Sequence, residues 1–128
     1  GRVPEAVRDY SRAIELNPRY REAFHNRGVA FERLGRLDWA ERDLEEAVRL
    51  DPSGVEAWNN LGTLLGRTGQ PARALQCFDR AVALAPGYAA AHFNRGLTLE
   101  AMGERELALA SFRTACALGM AQACSRAP

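Results

Sequence analysis

The residues of this 128-residue chain whose types suit chemistry or recognition are few: three cysteines, two histidines and three evenly spaced asparagines. Cys77 reads as a buried small hydrophobe, the commoner fate of a free cysteine. Cys116 and Cys124 lie eight residues apart and flank Leu118-Gly119. No Ser/His/Asp set, phosphate loop or carboxylate pair accompanies them, so neither catalysis nor a metal nor a cofactor is expected. The asparagines are more telling. Asn26, Asn60 and Asn94 recur at a step of 34 residues, although asparagine is a poor helix-interior residue whose amide competes for backbone hydrogen bonds. An amide carries a donor and an acceptor, so it can pair with a peptide group of a bound chain or bond across to the adjoining repeat.

The same 34-residue step organises the whole chain. Gly1, Gly35, Gly69 and Gly103 form one column; Ala6, Ala40, Ala74 and Ala108 another; Ala13, Ala47, Ala81 and Ala115 a third. Gly28, Gly62 and Gly96 keep step, as do Pro18, Pro52 and Pro86. Phe24, Arg27, Gly28 and Phe31 follow the i, i+3, i+4, i+7 spacing of an amphipathic helix, and so do Trp58, Leu61, Gly62 and Leu65. A mid-helix glycine costs about 1 kcal/mol against alanine, so that column implies close approach of another helix. The spacing predicts helices over 4–16, 21–34, 38–50, 55–68, 71–84, 89–102 and 105–118, with a short tail from Met120 and no sheet.

Trp58-Asn59-Asn60-Leu61-Gly62, continued by Ala74, Phe78, Ala81 and Pro86, resembles a tetratricopeptide repeat. The resemblance covers residues 1–118 and implies an all-α fold, a right-handed superhelical solenoid of antiparallel helix pairs. The expected organisation is one domain over 1–128: a half repeat at 1–20, repeats at 21–54, 55–88 and 89–118, and a tail at 119–128. His92 stands where the other repeats have Phe24 and Trp58, and Arg27 and Arg95 stand where the best repeat has Leu61. Asp9 and Asp43 are the expected partners of Arg27; Arg95 has only Cys77 and Ser111 at the equivalent places. Cys116 and Cys124 are similar to the staple of related cysteine-rich solenoids, where a cysteine late in one helix bonds one early in the next. Bridged and free thiols both stay open, and a bridge would favour an exported or periplasmic setting over a cytoplasmic one.

The resemblance implies a protein or peptide partner held in a concave groove. His25, Asn26, Val29 and Arg33 line the expected groove in one repeat, and Asn59, Asn60, Thr63 and Arg67 in the next. Ala90, Phe93, Asn94 and Leu97 follow, with Phe93 and Leu97 an apolar end that could seat an anchor side chain. The asparagine row resembles the ladder by which O-linked N-acetylglucosamine transferases hold substrate backbone. The Lys/Arg/Asn clamp of chaperone-binding members is not matched, because only Asn60 and Asn94 survive at those places.

Charge and hydropathy bound the alternatives. With 17 basic against 16 acidic residues there is no basic excess of the kind that marks a nucleic-acid binder. No apolar run reaches the roughly 18 residues of a membrane span. The chain opens at Gly1 rather than Met, as a fragment or a processed product would, and shows no signal-peptide pattern. A lone first helix with Ala6, Val7, Tyr10 and Ile14 leaves an open end, so self-association through terminal helices is the competing expectation.

Overall fold

A computed structural model describes residues 2–127; Gly1, the first member of the turn-glycine column, and Pro128, the last tail residue, lie outside it. Seven helices follow the periodicity: α1 (Val3–Leu16), α2 (Arg21–Arg33), α3 (Leu37–Leu50), α4 (Val55–Arg67), α5 (Pro71–Leu84), α6 (Ala89–Ala101) and α7 (Arg105–Ala117). There is no strand among the described residues. Helix α2 packs on α3, α4 on α5 and α6 on α7, and each pair leans on the next. The result is an all-α solenoid in which a first helix (α2, α4, α6) lies between two second helices (α1, α3, α5, α7).

The glycine column works as its position requires. A Cβ on Gly62 would come within 2.7 Å of Phe78 Cε1, one on Gly96 within 2.6 Å of Phe112 Cε1, and one on Gly28 within 2.9 Å of Leu44 Cγ. Each glycine therefore admits the large residue of the following second helix. Around these crossings the second-helix alanines Ala40, Ala47, Ala74 and Ala81 are fully buried, and Leu44, Leu61, Leu64, Leu65 and Phe78 complete the central core.

Each of α2, α4 and α6 ends one residue before its expected stop. The cause is a tight turn in which Gly35, Gly69 and Gly103 take positive φ. The amides of Arg36, Gln70 and Glu104 then reach back to the carbonyls of Phe31, Leu65 and Leu99 at 2.8, 2.9 and 2.9 Å.

The tail departs from expectation. Helix α7 leaves by this same turn instead of the extended exit used by α1, α3 and α5. Gly119 has φ 98° and the Met120 amide reaches Ala115 O at 3.0 Å. A further helical turn follows, α8 (Ala121–Cys124), whose Ala123 is fully buried. Cys116 and Cys124 are joined in a disulfide across that turn.

Candidate functional site: the groove face of the first helices

The free faces of α2, α4 and α6 form the surface on which the candidate residues fall. Two cavities open along it. The first, about 420 Å³, lies between α1 and α2 and takes in His25, Asn26, Val29 and Arg33, with Asn60 at its edge. The second, about 280 Å³, lies between α4 and α6 and takes in Thr63, Arg67, Asn94 and Leu97, with Gly66, Thr98 and Ala101. Asn59, Ala90 and Phe93 line neither.

Two of those three placements correct the sequence reading. Asn59 is only 8% exposed, and its side-chain oxygen accepts a hydrogen bond from Asn94 Nδ2 at 3.0 Å. Phe93 is turned toward α7, where its ring packs on Phe112 at 5.7 Å between centroids. The expected apolar anchor pocket therefore reduces to Leu97 and its neighbours.

The asparagine column is engaged across the stack. Asn60 Nδ2 donates to His25 Nε2 at 2.7 Å, which leaves the ring proton of His25 on Nδ1. Asn94 bonds Asn59 in the same way, while Asn26 makes no side-chain hydrogen bond among the described residues. Arg67 pairs with Glu32 across the same two helices as His25 and Asn60. All three contacts join residues 35 apart in sequence, a diagonal step from one first helix to the next. Burial lowers the pKa of His25, with Glu56 opposing and Arg21 adding to the shift, so the neutral ring that accepts from Asn60 is favoured. Each bonded asparagine keeps one amide hydrogen and oxygen lone pairs for a further partner.

The inward arginines are satisfied, but not as the sequence suggested. Arg27 makes a two-pronged pair with Asp43, at 2.7 and 2.8 Å, and a third bond to Ser11 at 3.1 Å. Asp9 takes no part: on α1 it is Ser11, two residues on, that meets the guanidinium, and Asp9 is exposed. Arg95 bonds Asp79 at 2.6 Å and Ser111 at 2.7 Å. Both arginines thus bridge the second helices 16 residues before and after them, with acid and serine exchanged. In the middle repeat the apolar Leu61 faces Cys77, whose thiol burial pushes up to about 11 and so keeps protonated and unreactive.

His92 replaces Trp58 in function as well as place. Trp58 donates its indole N–H to Pro52 O at 2.8 Å, and His92 Nε2 donates to Pro86 O at 2.8 Å. Both residues pin the turn ahead of their own helix. Among the described residues no cluster of His, Cys, Asp and Glu has a metal-holding arrangement, and no helix is long and apolar enough to cross a membrane. The sequence reading missed α1's share of the first cavity, where Ala6 and Tyr10 form one wall. The signal was present, because both belong to columns buried in every later repeat.

Known proteins share this architecture. Three solved structures superpose closely: one described as a crystal structure of MamA (TM-score 0.84, 26% identity, 88% of this chain and 66% of that one) and another of MamA protein (0.86, 23%, 92% and 64%). The third is a MamA RS-1 ArsTM double mutant (0.86, 24%, 91% and 66%). The chain thus spans just under two thirds of the length of these relatives. No curated protein matches the sequence. Sequence models described as TPR repeat or tetratricopeptide repeat match residues 1–35, 21–53 and 59–123. Such repeats are protein–protein interaction modules and are generally non-catalytic. On the length and placement of those matches, this chain belongs to the tetratricopeptide repeat family.

Proposed function

We propose that the chain holds an extended segment of a partner protein along the groove face, with the cavity between α4 and α6 as its anchor site. The observation that carries this reading is the make-up of that cavity. Leu97, Ala101, Gly66 and the Phe78 ring give an apolar floor, and Thr63, Arg67 and Asn94 give a polar rim. A lining of this kind suits one apolar side chain with the flanking backbone bonded at the edge. The half-engaged amides of Asn60 and Asn94 supply that edge, because each still offers a donor and an acceptor to a peptide group. The role is recognition rather than turnover, and the surface would act as a docking or adaptor module in a larger assembly.

The test is a displayed library of random peptides panned against the intact chain. Thr63 and Ala101 are exposed, so Thr63→Arg and Ala101→Glu would fill the cavity without touching the core. Selected peptides should share one apolar residue and lose binding to both variants, whose helical content and melting temperature stay unchanged. Selected peptides that bind both variants as tightly as the parent would sink the groove reading.

A further inference from the structure

Successive pairs of first helices differ at one place on the groove face. Between α2 and α4 that place is clasped, because Glu32 and Arg67 pair across the gap. One repeat on, the counterparts of Glu32 and Arg67 are Gly66 and Ala101, a missing side chain and a methyl group. The cavity of about 280 Å³ between α4 and α6 opens there, with both residues in its wall. The helix pairs on either side of it, α4 with α5 and α6 with α7, are both complete. The opening is therefore written into those two positions.

Its size and its hydrogen-bonding groups narrow what fits. A closed cavity of about 150 Å³ holds benzene, so this volume admits a two-ring side chain and leaves a leucine loose. Phe78, Leu97 and Pro71 give a ring apolar surfaces to lie against. The deeper polar groups are one-sided. Thr98, only 9% exposed, donates its hydroxyl proton to Asn94 O at 2.8 Å, and Thr63 donates to Asn59 O at 2.9 Å. Each hydroxyl oxygen can still accept a hydrogen bond and has no proton left to give. An indole N–H is a donor and nothing else, which matches; a phenyl ring brings no donor, and a phenol brings lone pairs that the threonines cannot satisfy.

We infer that the partner segment is anchored by a tryptophan, its indole ring against Phe78 and Leu97 and its N–H donated to the Thr98 hydroxyl oxygen. The inference rests on the groove reading above, which asks only for an apolar side chain, and says which one. Arg67 is the one charged residue in the lining among the described residues, and a guanidinium favours the face of an indole over that of a phenyl ring. Gly66 and Ala101 set the specificity, because larger side chains there would restore the clasp and shut out a two-ring anchor.

The probes are four blocked alanine pentapeptides carrying tryptophan, 1-methyltryptophan, phenylalanine or leucine at the centre, titrated into the intact chain and followed by amide NMR. The tryptophan peptide should shift the amides of Gly66, Thr98 and Ala101 saturably and bind tightest. Methylating the indole nitrogen should weaken it by about three- to tenfold, the worth of one neutral hydrogen bond. Thr98→Val, which keeps the shape and removes the acceptor, should bring tryptophan down by the same factor and leave phenylalanine unchanged. Gly66 and Ala101 are exposed, so Gly66→Glu combined with Ala101→Arg should rebuild the clasp, abolish binding of all four peptides and leave the melting temperature level or higher. Phenylalanine or leucine binding as tightly as tryptophan, with loss of binding on rebuilding the clasp, overturns the inference and leaves the groove reading standing. A tryptophan preference that survives both the methyl group and Thr98→Val overturns it too. No saturable binding by any of the four sinks the anchor site itself, and the inference with it.

Discussion

At one end of the stack, Ala6, Tyr10 and Ala13 of α1 stand half-exposed and the helix has no fully buried residue; at the other, Ala108, Phe112 and Ala115 of α7 are buried to within 2%. The residue types are nearly the same, so the difference comes from what lies across them. Helix α6 covers α7 from one side, and α8 folds over its end with Ala123 buried and Cys124 bonded to Cys116. Arg126 adds a pair to Glu100 at 2.8 Å and lies 5.5 Å over the Phe112 ring. In a solenoid each repeat is held by its neighbours alone, so an end without a cover is where the stack should open first.

The arginine bridges sharpen the contrast, because they place the same chemistry in two degrees of burial. Asp43 is 5% exposed, and removing its carboxylate would leave the Arg27 guanidinium charged and largely desolvated. Asp43→Ala should therefore cost about 3–5 kcal/mol by denaturant unfolding. The side chain of Asp79, which plays the part for Arg95, is 50% exposed, and Asp79→Ala should cost below about 1 kcal/mol. Equal losses would mean that the serine bonds, from Ser11 and Ser111, carry the bridges and the acids do not.

The covered end can be uncovered. Closing a loop of this size is worth roughly 2–3 kcal/mol in chain-entropy terms, and replacing both Cys116 and Cys124 by serine should remove it. The effect should be local, with amide exchange accelerating over residues 118–127 and little change in α3 to α5. Uniform acceleration along the chain would show that α8 supports the whole stack and not its own end.

A smaller contrast lies in the glycine crossings. Gly96→Ala pushes a Cβ to 2.6 Å from a rigid ring edge and should cost about 1–3 kcal/mol, because Phe112 is fully packed. Gly28→Ala meets the equally buried Leu44 Cγ at 2.9 Å and Ala40 O at 3.3 Å, a less severe approach, and gains the helix preference of alanine, about 1 kcal/mol. It should lower the melting temperature by less than Gly96→Ala does. A reversal of that order would place the tighter crossing at the open end.

The glycine crossings were legible before any coordinates, because a mid-helix glycine repeated at a fixed step leaves close packing as its reason. The partner of Arg95 was not. The column of Asp9 and Asp43 offers only Cys77, 18 residues back, and Ser111, 16 onward; the acid sits 16 residues back, at Asp79, on a column that also holds Ser11 and Glu45. The asparagine column was legible as a column, but its partners His25 and Asn59 lie on a 35-residue diagonal that a 34-residue comparison skips. Helix α8 was hidden for a different reason. Gly119 turns α7 one residue before the proline column, where Met120 stands in place of proline, so the register that revealed every other helix no longer applies to the tail.

The smallest expected effect is on pH, and it separates the two diagonal amide bonds. Burial lowers the His25 pKa below the ordinary histidine value, so the unfolded chain takes up this proton before the folded one does. The stability tied to the neutral ring is therefore complete above about pH 6.5 and declines as the pH falls toward the folded value. Protonation would set a second N–H against Asn60 Nδ2, and the amide would have to turn to offer its oxygen. The Asn59–Asn94 bond has no titrating partner and should not respond in this window. His25→Asn would copy that pair into the open end and flatten the slope between about pH 5.5 and 7. Melting temperatures of the two chains across that range should converge at the alkaline side and part at the acidic side. Parallel curves would mean that His25 is free to titrate in the folded chain, and that the bond to Asn60 does not hold the end repeat to its neighbour.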